Sequence, residues 1–234
     1  MDKSKKIITI VVIVISIILI GGISWYLLDT TGKINQGNFR INDILITSSV
    51  EVKEQEVPKQ EGEQQPALTL SQIPFQLSQT NKIELLIPKD VEAKRIYLDD
   101  ISISSPSKKG ETVLTLNGKD RVDLNAETKE VDIYPAEKEN QYYLEVQVDN
   151  VDFAKDVKVP EDTQSITYDG SILKLVGIKA EELEMEIKFN LNIVDITGKK
   201  NVCSMKFKFP TEEMIKNGIS VTREEPTRYI FSVK

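Results

Sequence analysis

Three short stretches set a pair of Asn or Asp side chains between apolar residues: Ile41-Asn42-Asp43-Ile44, Leu98-Asp99-Asp100-Ile101 and Val148-Asp149-Asn150-Val151. Clustered carboxylate and carbonyl oxygens are the donors that calcium takes, which makes Asp43, Asp99, Asp100 and Asp149 candidate calcium ligands. The same pairs have a backbone reading. Apolar residues fall on even positions before the middle pair (Ile96, Leu98) and on odd positions after it (Ile101, Ile103), and Leu144, Val146 and Val148 give way to Val151 and Phe153 in the same manner. One inserted residue reverses the in/out register of a strand, so a β-bulge at each pair explains the switch. Asp and Asn tolerate the backbone angles that a bulge needs.

Other constellations point to catalysis with less force. Ser105-x-x-Lys108 and Ser171-x-x-Lys174 match the nucleophile spacing of penicillin-binding enzymes, which need the pair on one face at a helix start. The first lies in a loop-like SSPSKKG stretch and the second follows a turn signal. Glu181, Glu182, Glu184 and Glu186 crowd one stretch, whereas a glycosidase needs two carboxylates facing each other across a cleft. There is no histidine, which removes Ser-His-Asp and Cys-His catalysis and every metal site that depends on imidazole. No Walker or dinucleotide-binding glycine pattern occurs, so no cofactor is implied and no catalytic or cofactor-binding residue is assigned. The single cysteine, Cys203, shares its phase with Met205, Phe207 and Phe209, which predicts a buried thiol and no intramolecular disulfide.

The elements that must position these residues read as strands. Residues 39–52 form one, and residues 53–66, charged and with two prolines, form a polar linker. From Ala67 onward short β-type segments are separated by turn signals. Asn117-Gly118 and Asp169-Gly170 each predict a hairpin, since both supply the positive φ of a type I′ turn. Leu183, Met185, Ile187, Phe189, Leu191 and Ile193 alternate with polar residues, a strand with one buried face, and Cys203 to Phe209 return beside it. A short helix capped by Thr211 and closed by Gly218 follows, then residues 219–233 supply a last strand around Tyr229, Phe231 and Val233. Tyr97 and Tyr143 fall on the polar phases of their strands and are expected at the surface. The expected fold is all-β, an antiparallel β-sandwich-like region, as a single unit or as two β units over residues 67–138 and 139–234.

Tyr97–Ser104, YLDDISIS, resembles the closing strand of carbohydrate-binding jelly rolls, where an aspartate near that point ligates structural calcium. The resemblance covers eight residues. It departs elsewhere, because 129 residues follow Ser105 and the only tryptophan, Trp25, lies in an apolar run near the N-terminus.

That run fixes the expected address. Ile7 to Leu28 holds 22 residues without a charge, about 33 Å as a helix, against a hydrocarbon core of about 30 Å. Lys3, Lys5 and Lys6 precede it, and Trp25 and Tyr26 sit at its far end. These features predict a single-pass signal-anchor: a cytoplasmic tail over residues 1–6, a transmembrane helix over 7–28, a juxtamembrane strand and linker over 29–66, and the β region outside. A cleaved signal peptide would have a shorter apolar region and a small-x-small site. Without the three lysines and one aspartate of the first 28 residues, 27 basic residues stand against 36 acidic ones, a net −9 that offers nothing to nucleic acid. The expected partners are the lipid bilayer, through residues 7–28, and an envelope protein. The expected function is a non-enzymatic, membrane-anchored module that binds or scaffolds that partner. The alternatives are a carboxylate-based glycan hydrolase of the envelope and a calcium-dependent, adhesin-like module.

Overall fold

The computed structural model describes residues 37–55, 69–105, 110–118, 121–123 and 130–234. The expected transmembrane helix over 7–28 and most of the polar linker lie outside the described residues; among those described, no helix is long and apolar enough to cross a membrane.

The described chain folds into two antiparallel sheets, as the alternation of its side chains requires. In order, β1 is Asp43–Glu54, β2 Phe75–Pro88, β3 Ala93–Ser104, β4 Glu111–Leu116, β5 Arg121–Val122, β6 Val131–Asp132, β7 Ala136–Lys138 and β8 Gln141–Val157. A helical turn α1 (Ile172–Leu175) precedes β9 (Glu186–Asp195) and β10 (Lys200–Lys208), and helix α2 (Thr211–Asn217) leads to β11 (Ile219–Arg223) and β12 (Ser232–Val233). The seven-stranded sheet has the order β11-β1-β2-β8-β4-β5, with β7 also on β8. The five-stranded sheet has the order β12-β10-β9-β3-β6.

Each sheet takes strands from both sides of residue 138, so the expected division into two β units at 67–138 and 139–234 does not follow the sheets. The reason is long-range pairing: β8 lies between β2 and β4, and β9 between β10 and β3. The strand expected over residues 39–52 also belongs to the sandwich, since β1 pairs with β2 along its whole length, from Asp43↔Leu86 to Glu54↔Phe75.

The main core lies between the sheets. Ile44, Ile46, Ile83 and Leu85 from the larger sheet meet Leu98, Phe189, Leu191 and Phe207 from the smaller one. The strands of the larger sheet run on past the smaller sheet. There Val50, Val52, Phe75, Leu77 and Phe153 form a second buried cluster with Val159, Ile172, Leu173, Leu183 and Met214. Between the two clusters the inner face carries buried polar side chains: Ser48, Gln79, Asn81, Asn150 and Ser220.

Several local expectations change. Asp169-Gly170 does not make a hairpin: the Asp169 carboxylate accepts hydrogen bonds from Ser171 N at 2.8 Å and Ser171 Oγ at 2.5 Å, and a helical turn follows. A four-residue apolar run such as Ile172–Leu175 fits either element. At Asn117-Gly118 both φ angles are positive, but Thr115 faces Arg121, one residue more than a two-residue turn allows. Pro210, not Thr211, stands at the cap position of α2, while Gly218 at φ +82° closes it. The last strand is two short ones in different sheets.

Candidate functional site

Two of the Asn/Asp pairs sit where the ladder is irregular. On β3, Asp99 faces Asn190 and Ser102 faces Lys188, so the strand carries one extra residue, and Asp100 adopts φ +50°. On β8, Asn150 faces Gln79 and Ala154 faces Leu77, with Asp152 at φ +55°. Asn42-Asp43 instead lies at the start of β1, whose ladder with β2 is regular.

The four candidate ligands are spread over the molecule. Asp99 and Asp100 come together because the Asn190 amide donates to Asp99 Oδ1 at 2.8 Å and to Asp100 Oδ2 at 2.9 Å. Asp43 is on β1, within 3.2 Å of the Arg223 guanidinium, and Asp149 is on β8, where it accepts from Gln147 Nε2 at 2.8 Å. Among the described residues, no group of three or more His, Cys, Asp or Glu gathers in a way that could hold a metal ion.

Beside Asp99 the outer face of the smaller sheet carries a charged stack. The Arg95 guanidinium lies 4.2 Å and the Lys200 ammonium 5.1 Å from the Tyr97 ring centroid. Arg95 in turn donates to Asp132 at 2.6 Å and Glu130 at 2.9 Å. Tyr97, expected at the surface, is therefore only 3% exposed: its polar-phase position is roofed by the aliphatic stems of two long cations. Tyr143 is half-buried, and its hydroxyl is pushed above its ordinary value, by burial first and then by Glu84.

Two of the four crowded glutamates are matched by lysines. Glu186 lies 2.9 Å from Lys206 and 3.1 Å from Lys188, and Glu184 lies 3.2 Å from Lys208. Hydrogen bonds from Lys206 and then Lys188 hold the Glu186 carboxyl below its usual range, the reverse of what a glycosidase acid needs. Ser104, Glu184, Met185, Glu186 and Lys208 line an open cavity of about 210 Å³. Ser171 donates to Asp169, and Lys108 lies outside the described residues. Cys203 is buried in the main core, which pushes its thiol up to about 12.

The terminal strands of the sheets differ in a way that bears on recognition. β5, β6 and β12 have two residues each, and short edge strands are a common protection against stray pairing. Where β12 ends, β10 presents Lys206 and Lys208, and where β6 ends, β3 is bulged. β11 has five residues, and β1 is its only partner strand among the described residues. Ile219 and Val221 on it are 51% and 59% exposed. The sequence places residues 219–233 in a single last strand; the uncharged ISVT run directly after the helix-closing Gly218 is a strand of its own, in the other sheet from β12. No family model, curated protein or solved structure gives a significant match to the chain.

Proposed function

We propose that this chain is a membrane-anchored, non-enzymatic module that holds an envelope protein outside the cell membrane by adding an extended segment of it to β11. The observation that carries the reading is the edge itself. β11 leaves one side of its backbone without a strand partner among the described residues and sets Ile219 and Val221 beside it, with no charged residue before Arg223. Main-chain hydrogen bonds along such an edge supply affinity, and alternate side chains supply specificity. The anchor rests on the uncharged run from Ile7 to Leu28. Nine residue steps separate Leu28 from Gly37, at most about 30 Å of extended chain, so the module stays close to the membrane surface.

Photo-crosslinking in intact cells tests this. A photoreactive residue in place of Ile219 should give an adduct with one envelope protein. Val221→Lys should abolish the adduct while changing stability by no more than about 0.5 kcal/mol. No adduct, or one that survives Val221→Lys, would sink the reading, as would an adduct with a second copy of the chain alone.

A further inference from the structure

We propose that residues 158–183 form a strap that opens from the far half of the seven-stranded sheet while the two-sheet sandwich stays folded. The segment contains no strand. Its backbone hydrogen bonds close on themselves, as in Val176 N to Ile172 O and Ile178 N to Leu173 O. Among the described residues, one backbone bond leaves it, from Gly170 N to Gly218 O at 3.0 Å. Its hold on the sheet is mainly apolar, with Val159, Ile172, Leu173 and Leu183 buried in the second cluster, and Tyr168 adds a hydroxyl bond to Glu54 on β1 and an edge contact with Phe75.

The boundary with the main core is polar. Gln79 reaches across it with Nε2, which donates to Leu183 O at 3.2 Å and to Asn81 Oδ1 at 3.1 Å. On the same sheet face Ser48 Oγ, Gln79 Oε1 and Asn150 Nδ2 are buried with no hydrogen-bond partner. Register places these residues together, since Gln79 faces Asn150 and Ser48 faces Asn81, two positions along β2. Buried polar groups without partners destabilise the closed form, and opening gives them back to water. Opening exposes the apolar anchors but hydrates the belt, so it costs less than the apolar loss alone would. Sub-global openings of this kind fall where apolar contacts are few and the boundary is polar. The open form presents Val50, Val52, Phe75, Leu77 and Phe153 as an apolar trough, a surface separate from the β11 edge.

The lone native thiol makes the test. Cys203 lies in the main core and Leu77, fully buried, lies under the strap. The full-length chain carrying Leu77→Cys, in mild detergent, is exposed to a thiol reagent under native conditions. The thiol at position 77 should react at least about tenfold faster than Cys203, with a rate nearly independent of low denaturant, as local opening requires. Adding Leu173→Ala should raise the rate at position 77 about tenfold or more and leave Cys203 unchanged. If Leu77→Cys does not fold, Phe153→Cys takes its place. Equal rates at the two thiols, with the same denaturant dependence, would show that the far half opens only by global unfolding and would overturn the proposal.

Discussion

Three strands, β1, β2 and β8, run the length of the inner face of the seven-stranded sheet, yet its two halves are roofed in different ways. Over one half, β1, β2 and β8 meet β3, β9 and β10, whose own ladder bonds hold each roof residue in register. Over the other half, the same strands meet a segment without strands and the buried face of α2, where Met214 closes the cluster. Side chains on the sheet are equally buried in both: Leu85 and Leu77 are each fully covered. What differs is how the cover is held. A residue in a paired strand cannot leave without its neighbours, whereas an anchor in a strap leaves with its own segment. Burial alone is therefore a poor guide to which parts of a fold melt together.

The largest effect that tests this contrast belongs to the sheet-roofed half. Phe189→Ala should destabilise the whole sandwich by about 3–5 kcal/mol in urea unfolding, while Lys188→Ala, on the solvent face of the same strand, should change it by no more than about 0.5 kcal/mol. Equal small effects would mean that the roof does not carry the stability assigned to it.

A middle-sized effect concerns the bulge in that roof. Asp100 adopts φ +50°, which a β-branched side chain resists, so Asp100→Val should cost about 1–3 kcal/mol. Asp100→Asn and Asp99→Asn should stay within about 0.5 kcal/mol, and calcium should leave the melting temperature of the parent unchanged. A calcium-dependent rise in melting temperature that the Asn variants abolish would instead restore the ligand reading. Linkage sets its size at about 2.7 kcal/mol for a hundredfold excess over Kd.

The smallest effect is acid sensitivity. Gln76, Lys155 and Ser78 hold the Asp152 carboxyl below its ordinary value of 3.8, and Thr197 with the Lys199 backbone does the same for Asp195. A folded value below the unfolded one adds stability that is present above 3.8 and lost as pH falls through the lowered value. Melting curves between about pH 5 and pH 2 should show this loss, and Asp152→Asn or Asp195→Asn should each flatten part of it. An unchanged pH profile in both variants would remove these carboxylates from the account.

Local alternation makes most of the strands legible in the amino-acid sequence. The period-two run through Ile187, Phe189 and Leu191 is β9, and the phase switch at Asp99-Asp100 is a bulge. The sheet order is not legible there, because the position of β8 between β2 and β4 is a pairing over long sequence separations that no local pattern encodes. Asp169-Gly170 misleads for a local reason, since the same dipeptide suits a hairpin turn and a helix start. The candidate recognition edge is half-hidden: ISVT reads as a strand, but only the pairing with β1 shows that it ends a sheet.

The full-length pairing of β1 with β2 has a mechanical consequence. The chain passes from Gly37, bonded to Phe231 O at 2.7 Å, into β1, which is gripped by β2 along its entire length and by β11 over Leu45–Ser49. Tension arriving through the residues before Gly37 pulls β1 along its own axis. The ladder is then loaded in shear, with its hydrogen bonds sharing the force, rather than peeled one bond at a time. A load applied to the chain at Gly37 along that axis should accordingly break the Gly37 contact first and then meet the whole β1 ladder at once.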